Sequence, residues 1–526
     1  MRTSYADSAA MLGEPPVVIC TLYTPGFTVR AATRPIQIQD SDGDGPYLYD
    51  ARLTSVDAID REVDLFALER AEIRSMRVTL YISEDYDART LEAKFYHLAA
   101  SRCEVALIWE GESWNRRDVV IGRGTVSGVS MNGGEVTLTT EALPPATGNV
   151  IGDPTRDMKT TGGYPTLGYT KLQGRQYPTI IGRCYRLPGF KMGSLSATSR
   201  GLLLAGHKFV STTTVDTYQD DDAPTAYVPY VALVVTNGTD AAGDPICYIA
   251  GGNSGANFDF QDTQGAFTFD ATYGGVQSAS GSQVAAVGAP EVIGYLLANS
   301  GERVDFDKML RTYALLGGLE IGIYVDKATD ALKILRDRVL TVLPLVEEQG
   351  AGGMWLRYVD IVTQVPEIDL VEGVQLIGAI GGMEQVSDPD DLYNSFTVNY
   401  AYDHATGRFG SSVTFDRTNH PMCALSAQLF GVRAAPDVNV DITWDAATAS
   451  FIAASRANRL AMPRYATSWD LDPTLYWLQE GTIVSVTSAT YGWSRRKAVV
   501  RKIRSSANPI RVVLEPVPGA LTGGLI

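Results

Sequence analysis

The sequence predicts a mainly β protein with some α-helix, divided into several domains. Its 526 residues exceed the roughly 250 to 300 residues that one hydrophobic core serves, so we expect about three or four domains. Most apolar residues lie in short runs rich in Val, Ile, Thr and Tyr, separated by Gly, Asp or Asn, which is typical of strands and turns. Helical spacing of apolar residues is confined to a few segments.

The chain is acidic, with 44 basic against 60 acidic side chains and a formal net charge of -16. This balance argues against a protein that coats nucleic acid, because counterion release from phosphates needs clustered Lys and Arg. It suits a surface that repels DNA, and it equally suits an ordinary soluble acidic protein.

Cysteine spacing and hydropathy indicate a protein made in a cytoplasm. The cysteines lie far apart and form no C-x-x-C pair, which argues against a disulfide framework and against a zinc or iron–sulfur site. No apolar run typical of a signal peptide precedes Glu14, and no stretch of about 18 apolar residues predicts a membrane span. The five cysteines are Cys20, Cys103, Cys184, Cys247 and Cys423.

Residues 14–145 are rich in predicted strands, and an all-β barrel or sandwich is the simplest fold for them. One segment, 89–100, interrupts the pattern because Leu91, Phe95 and Leu98 recur at helical spacing. The predicted strands are 17–23, 27–33, 47–53, 63–68, 76–82, 104–110, 119–127 and 135–140.

The acidic segment 40–45 has the pattern of the first half of a calcium-binding loop. Such a loop needs oxygen ligands at its first, third and fifth positions, a glycine at the sixth and a bidentate glutamate at the twelfth. Asp40, Asp42 and Asp44 could supply the first three ligands, but the twelfth position is Ala51. We therefore interpret the segment as a solvated turn, which Asp-Gly pairs favour.

The middle of the chain contains a β-rich part followed by a mixed α/β part. Residues 148–170 are rich in Gly, Pro, Thr and Asp, which indicates a linker or an extended loop. Phenylalanines alternate within 251–282 as in a strand pair with one buried face. Predicted strands are 208–215, 227–236, 246–250, 320–324 paired with 331–334, 355–362 and 369–377; predicted helices are 291–300 and 305–316; and 336–343 is ambiguous.

The last part of the chain combines a helix with a run of strands. Asp445 lies where a helix N-cap belongs, and apolar residues follow at helical spacing until Pro463 ends the pattern. Predicted strands are 395–402, 483–486, 498–503 and 510–514, and the last three are separated by turns at 492–496 and 505–509.

The sequence contains no recognisable catalytic, cofactor-binding or metal-binding constellation. G-x-S-x-G and Walker motifs are absent, and 122–124 offers only part of a dinucleotide fingerprint inside a predicted strand. Carboxylate pairs such as Glu347 with Glu348, or Asp360 with Asp369, are expected by chance among 60 acidic residues. The four histidines, His97, His207, His404 and His420, show no ligand spacing.

Several motifs follow one another in a defined order. They are a Tyr-Pro-x-Ile-x-Gly-like segment at 177–182, a Leu-x-Ala-Gly-His-like strand start at 203–207, a strand at 393–400 followed by Ser426 and Gly431, an Arg-Leu helix end at 459–460, a Pro-Arg pair at 463–464 and a strand start at 481–486. This order resembles that of the hub proteins of bacteriophage tail tips and gene transfer agents. Glu480 precedes Gly481, whereas many members carry an acidic residue after that glycine.

The resemblance implies a structural virion protein that closes the tail tube at the tail tip or baseplate and adapts a sixfold tube to a threefold tip. Such hubs are homotrimers in which each subunit supplies two barrels similar to tail-tube subunits. We therefore predict tail-tube-like β-barrels at both ends of the chain, with inserted β-rich and mixed domains between them. The predicted domains are 1–147, a linker at 148–170, 171–285, 286–385 and 386–526.

The resemblance also implies partners and a location. Expected partners are two further copies of the chain, a distal tail protein, a tape measure protein, and tail fibres or receptor-binding proteins. DNA would pass through the lumen during ejection without specific binding, which suits an acidic surface. We expect assembly in the host cytoplasm, a place at the tail tip of the virion, and no enzymatic activity, cofactor or membrane insertion.

A different class of function is an alternative: a phage or bacterial β-sandwich protein that binds or depolymerises polysaccharide. Tyr491 and Trp493 could form an exposed aromatic platform with carboxylates nearby, although a packed hairpin turn would use the same residues. The mass of the protein in solution and an assay of oligosaccharide cleavage would separate the two functions.

Overall fold

A computed structural model divides the chain into two compact units. The first unit consists of Met1–Pro145, Leu345–Leu392 and Asn458–Ile526, and the second of Ala146–Pro344 and Tyr393–Ala457. The structure describes residues 17–24, 28–38, 46–56, 61–62, 76–81, 98, 101–108, 119–132, 134–142, 149–152, 176–188, 190–191, 201–206, 214–219, 228–239, 245–250, 267–277, 283–285, 288–350, 353–359, 364–387, 392–404, 407–472, 475, 478, 480–504 and 510–518.

The N-terminal part of the first unit is built from short strands. They are β1 Val17–Tyr23, β2 Thr28–Ala32, β3 Ile36–Ile38, β4 Tyr47–Tyr49, β5 Leu53–Val56, β6 Arg61–Glu62, β7 Met76–Tyr81, β8 Arg102–Ile108, β9 Val119–Asn132 and β10 Glu135–Ala142. Seven of them form an antiparallel sheet in the order β2-β1-β8-β9-β10-β7-β5. One edge strand, β2, forms a backbone bridge from Ala31 to Asp50, which lies between β4 and the other edge strand, β5. The sheet is therefore a partly closed barrel, termed the N-terminal barrel.

Both faces of the N-terminal barrel carry buried apolar side chains. Successive side chains of a strand point to opposite faces, and those of β1 enter two different buried clusters. Cys20 and Leu22 of β1 join one buried cluster, which also contains residues of β5, β7, β8, β9 and β10. Val17 and Ile19 of the same strand join a second cluster, which includes residues of the β3–β4 hairpin. The hairpin thus covers a face that would otherwise be exposed.

The second unit contains a nine-stranded antiparallel sheet. Its order is β13-β14-β17-β16-β15-β18-β12-β20, with β19 paired to β18, and β11 pairs with β21 apart from it. These strands are β11 Val150–Ile151, β12 Thr179–Pro188, β13 Phe190–Lys191, β14 Gly201–Ala205, β15 Thr214–Gln219, β16 Val228–Thr239, β17 Pro245–Ala250, β18 Phe267–Gln277, β19 Gln283–Ala285, β20 Gly322–Val325 and β21 Thr329–Asp330.

Helices Ala289–Ala298 and Phe306–Leu316 also belong to the second unit and correspond to the helices predicted at 291–300 and 305–316. The second helix begins with a side-chain cap, because Lys308 N donates to Asp305 Oδ1 at 3.2 Å. Its Met309 and Leu316 are fully buried. The N-terminal cap and the buried apolar face therefore both stabilise this helix.

The predicted strand at 331–334 is wrong. These residues form the short helix Ala331–Ile334, which continues as a π-helical turn over Leu335–Leu340. The cause is a cap, since Lys333 N donates to Asp330 Oδ1 at 2.9 Å. The strand predicted at 320–324 corresponds to β20, which pairs with β12 instead of with 331–334. β21 pairs with β11, and β11 lies inside the predicted linker.

The rest of the chain completes both units. The first unit gains β22 Leu345–Gly350, β23 Gly353–Tyr358, β24 Ile368–Val371, β25 Leu376–Gln385, β29 Tyr465–Leu471, β30 Ile483–Ser488, β31 Trp493–Arg504 and β32 Ile510–Pro516, while the second gains β26 Phe396–Asp403, β27 Arg408–Phe415, β28 Val438–Asn439 and helix Pro421–Phe430. A sheet in the order β24-β30-β31-β32-β29-β25 has its edges joined by a bridge between Glu372 and Leu376. This partly closed sheet is termed the C-terminal barrel.

The prediction of a mainly β, multidomain chain with some α-helix is confirmed. The predicted cap of helix Ala446–Leu460 is also confirmed, because Thr448 N donates to Asp445 Oδ2 at 2.7 Å. No described helix is long and apolar enough to cross a membrane.

Some boundaries differ from those predicted. β31 begins at Trp493, inside the turn predicted at 492–496. The predicted strand at 369–377 covers parts of β24 and β25, and both pair within the C-terminal barrel rather than with the domain predicted at 286–385. The predicted strand at 63–68, the acidic turn at 40–45, the turn at 505–509 and nearly all of the helix at 89–100 lie outside the described residues.

Candidate functional site

The two barrels of the first unit share one arrangement of five strands. In the N-terminal barrel the order is β5-β7-β10-β9-β8, and in the C-terminal barrel it is β25-β29-β32-β31-β30. All neighbours in both series are antiparallel, and the five strands follow each other in the same chain order. Each barrel therefore contains two strands followed by a three-stranded meander whose last strand returns to the second strand.

The hydrogen-bond register of the two meanders also agrees. Val126 N donates to the carbonyl of Ser101, the residue before β8, at 2.8 Å. Val500 N donates to the carbonyl of Thr482, the residue before β30, at 2.9 Å. Val126 and Val500 therefore occupy equivalent positions in the two barrels.

A β-bulge directly after these valines is common to both barrels. Ser127 is the extra residue where β9 pairs with β10, and Arg501 is the extra residue where β31 pairs with β32. Because a bulge bends its strand and redirects a side chain, its recurrence at one position is a specific feature of the fold.

A second irregularity recurs between the first two strands. Thr54 is the extra residue of β5 against β7, and Ile377 is the extra residue of β25 against β29. Just beyond this irregularity, each barrel has an equivalent backbone hydrogen bond between the same two strands. Tyr81 N donates to Arg52 O at 2.7 Å, and Asp472 N donates to Gln375 O at 2.8 Å.

The buried clusters of the two barrels use the same positions. Equivalent residues of the shared strands enter one cluster in each barrel. The pairs are Leu53 with Leu376, Val78 with Trp469, Leu80 with Leu471, Cys103 with Val484, Val105 with Val486, Val126 with Val500, and Leu138 with Val512. The chain therefore carries two versions of one β fold.

The two barrels are joined by a short strand. β6 lies in the connection between β5 and β7 of the N-terminal barrel, yet it pairs antiparallel with β31 of the C-terminal barrel. Glu62 lies opposite Lys502, and Arg61 lies opposite Ile503. Through this pairing, β6 of the N-terminal barrel becomes an additional strand of the C-terminal barrel sheet.

A buried charge cluster fixes the bulge of the C-terminal barrel. Glu515 is 1% exposed and lies between Arg464 Nη1 at 3.6 Å and Arg501 Nη1 at 3.5 Å. Arg501 is the bulge residue, and Arg464 belongs to the Pro-Arg motif. A buried carboxylate needs such partners, because loss of either leaves a charge poorly compensated.

The carboxylates considered in the sequence have structural roles where they are described. Glu347 is buried, and Glu348 forms an ion pair with Arg357 beside Gly481. Asp369 accepts a hydrogen bond from Arg495 Nη2 at 2.9 Å. Asp360 lies outside the described residues, so the structure describes only one member of the Asp360–Asp369 pair.

The proposed aromatic platform is a packed hairpin. Tyr491 and Trp493 stack at 5.0 Å, Trp469 meets Tyr491 edge-on at 5.6 Å, and all three belong to the core region of the C-terminal barrel. The neighbouring Glu372 accepts hydrogen bonds from Thr490 and Ser488 of the same turn. These bonds lower the pKa of the Glu372 carboxyl to about 2. This geometry gives no support to a sugar-binding platform.

His404 belongs to a packed joint within the second unit. Its ring lies 4.9 Å from the rings of Tyr324 and Tyr402. Burial, followed by the charge of Arg338, lowers the pKa of His404 to about 4. Arg338 is placed by the π-helical turn and bonds Asp441 at 2.7 Å and Tyr324 O at 3.0 Å.

The described residues contain no cluster of three or more His, Cys, Asp or Glu side chains suited to a metal. His420 is buried against Phe415, with ring centres 5.7 Å apart, while His97 and His207 lie outside the described residues. The described cysteine thiols, those of Cys20, Cys103, Cys184 and Cys423, are buried and unbridged.

The two motifs predicted around 177–182 and 203–207 meet in the second unit. Gly206 N donates to Pro178 O at 2.9 Å, and a Cβ at Gly206 would lie 2.5 Å from Tyr177 Cβ. Gly182 has φ +80 and would carry its Cβ 2.5 Å from Ile321 O. Glycine is therefore required where these segments pack closely.

No protein-family model and no curated protein matches the sequence. Solved structures of phage tail proteins and of a gene transfer agent overlap with the chain in part. The virion of a native gene transfer agent particle contains a chain 15% identical to this one, with a TM-score of 0.39, covering 67% of this chain and 87% of that chain.

Two crystal structures cover more of the chain. The 43 kDa tail protein of prophage MuSo2 from Shewanella oneidensis is 10% identical, with a TM-score of 0.37 over 95% of this chain and 98% of that chain. The tail protein from Neisseria meningitidis MC58 is 9% identical, with a TM-score of 0.35 over 96% and 97%. These TM-scores describe partial overlaps in fold.

Proposed function

We propose that this chain is a structural virion protein of a phage-like tail: a hub at the tail tip or baseplate that closes the tail tube. The observation that carries the proposal is the pair of matching barrels, which agree in strand order, register and bulge positions. The order of sequence motifs from 177–182 to 481–486 supports the same function.

The matching barrels give the chain the geometry of a symmetry adaptor. A ring of three copies contains six similar barrels, so one side can match a sixfold tube while the other keeps threefold symmetry. A chain with a single barrel would need six copies and would present six equal lower surfaces. Homotrimerisation is therefore part of the proposal.

The remaining partners follow from this position. The barrels would contact a distal tail protein and the end of a tape measure protein, and the second unit would present surfaces to tail fibres or receptor-binding proteins. DNA would pass through the ring without specific binding. The net charge of -16 supports this last point, because an acidic wall repels phosphate.

A three-dimensional reconstruction of the particle that contains the chain tests the proposal. We expect three copies at the distal end of the tube, with six barrel-shaped densities around one axis. A single copy, or copies attached outside the tube, would overturn it. An oligosaccharide-cleavage assay with the purified chain is the second readout, and turnover of a glycan would favour the polysaccharide enzyme instead.

A further inference from the structure

The middle strand of each meander extends beyond the strand before it. In the C-terminal barrel the pairing of β30 with β31 reaches Val499, and in the N-terminal barrel the pairing of β8 with β9 reaches Thr125. Beyond these positions, 500–504 and 126–132 continue as strand and remain paired with the following strand. Along each extension, the edge of the strand that faced β30 or β8 is no longer paired with that strand.

In the C-terminal barrel this edge is occupied. Lys502 and Ile503 pair antiparallel with β6, which comes from the segment after β5 of the other barrel. By the shared register, Lys502 and Ile503 correspond to Gly128 and Val129 of the N-terminal barrel.

In the N-terminal barrel the corresponding edge has no strand partner among the described residues. β9 pairs there only with β10, on its other side. The extension is also exposed at several positions, and Met131 is 48% exposed. A strand edge that lacks a partner can accept another strand through its backbone donors and acceptors.

A matching donor lies at the end of β25. β25 is the equivalent of β5, and β5 is followed by the donated strand β6. Residues 382–385 are exposed, Met383 is 42% exposed, and the register with β29 is interrupted between Ile380 and Glu384. This segment therefore has an outer edge with no described partner.

We propose that residues 127–132 of one copy accept residues 382–385 of a second copy as an antiparallel strand. The inference rests on the proposed function, because this pairing would join neighbouring chains in the ring. Within a chain the N-terminal barrel donates to the C-terminal barrel, and between chains the C-terminal barrel donates to the N-terminal barrel. The same contact then repeats around a closed, head-to-tail ring.

Disulfide cross-linking of the full-length chain tests this pairing. The double variant Met131→Cys with Met383→Cys is oxidised at high protein concentration, analysed on a non-reducing gel and weighed by light scattering. We expect covalent species up to the trimer, reversed by reductant. The matched control is Leu48→Cys with Met383→Cys, because Leu48 is 66% exposed and lies on β4, which pairs with β3 and not with β9. This control should remain a monomer on the gel.

A charge variant gives an independent readout. Met131→Lys places a cation on the accepting edge and should reduce self-association at least tenfold, whereas Leu48→Lys should not. Oligomers that form without the 131–383 cross-link and are unaffected by Met131→Lys would overturn the strand pairing and leave the hub proposal standing. A chain that stays monomeric and does not cross-link would also overturn the pairing, while a reconstruction of the particle without three copies at the tip would remove the hub itself.

Discussion

Trp469 lies in the C-terminal barrel where Val78 lies in the N-terminal barrel. Val78 is opposite Leu138 of β10, and Trp469 is opposite the equivalent Val512 of β32. The indole is fully buried, and its Nε1 donates to Thr467 Oγ1 at 2.9 Å. One position of a shared fold thus holds a small side chain in one copy and the largest side chain in the other, which shows that the two cores are packed independently.

We expect Trp469→Val to destabilise the C-terminal barrel even though valine is the residue of the other barrel. The substitution leaves a cavity beside Tyr491, and losses of this kind cost roughly 3 kcal/mol. Denaturant unfolding followed by tryptophan fluorescence and circular dichroism measures the effect. Tyr465→Phe, at a position 39% exposed in the same strand, is the control and should change stability by less than about 0.5 kcal/mol. An equally small loss for Trp469→Val would contradict the packing described.

We expect Gly182→Ala to be strongly destabilising, because two separate costs coincide at this position. The backbone has φ +80, and the new Cβ would lie 2.5 Å from Ile321 O and 2.7 Å from Val292 Cγ2. The combined cost should be at least about 3 kcal/mol.

Gly318→Ala is the matched control for that substitution. A Cβ there meets no atom within 4 Å, so alanine should change stability by less than about 1 kcal/mol. Thermal unfolding of both variants measures the difference. Equal melting temperatures would show that β12 and the residues before β20 are not packed as closely as described.

Many of the individual strands could be predicted from the sequence, but their repetition could not. Alternating apolar residues identify β7 and β10, because a half-buried strand leaves a period of two, whereas β1 and β30 are buried on both faces and are identified by their Val and Ile content. Equivalent positions of the two barrels, however, often differ in residue type, as Val78 differs from Trp469 and Cys103 from Val484. The connections between the shared strands also differ in length, so no constant spacing reveals the repeat.

Contacts between segments far apart in the sequence could not be predicted from the sequence either. β6 consists of Arg61 and Glu62, which carry no apolar alternation and become a strand only by pairing with β31. The helix at 331–334 was mistaken for a strand because four residues are too few to show a helical period. Its cap at Asp330 was the local signal that could have identified it.

Glu372 should make the C-terminal barrel sensitive to acid. Its hydrogen bonds with Thr490 and Ser488 lower its pKa from 4.5 to about 2. Because the pKa is lower in the folded barrel than in the unfolded chain, the carboxylate stabilises the fold above about pH 4.5, and this contribution is lost as the pH falls towards 2. Glu372→Gln should therefore lower stability at neutral pH and make it less dependent on pH between 4.5 and 2.

Unfolding midpoints in denaturant at several pH values measure this effect. Glu135→Gln, at an exposed glutamate of β10, is the control and should keep the pH dependence of the original chain. If Glu372→Gln and the original chain lose stability in parallel over this range, the bonds to Thr490 and Ser488 do not act on the carboxylate as described.

His404 should make the second unit sensitive to pH in a higher range. Burial first, and then the positive charge of Arg338, lower the pKa of His404 from 6.5 to about 4, while Asp441, Asp403 and Asp326 oppose the shift. The folded state therefore resists protonation that the unfolded chain accepts. Stability contributed by the neutral ring is present above about pH 6.5 and is lost as the pH falls towards 4, by an amount on the order of 3 kcal/mol.

We expect His404→Phe to flatten this dependence, because phenylalanine keeps the ring packing with Tyr324 and Tyr402 but cannot bind a proton. Denaturant unfolding at pH values from 7 to 4, followed by circular dichroism, measures the slope. Lys333→Gln, at an exposed position of the helix Ala331–Ile334, is the control and should keep the slope of the original chain. A His404→Phe variant that still loses as much stability between pH 6.5 and 4 would place the responsible proton on another group, and the packed joint around Arg338 and Asp441 would then have no part in the acid response.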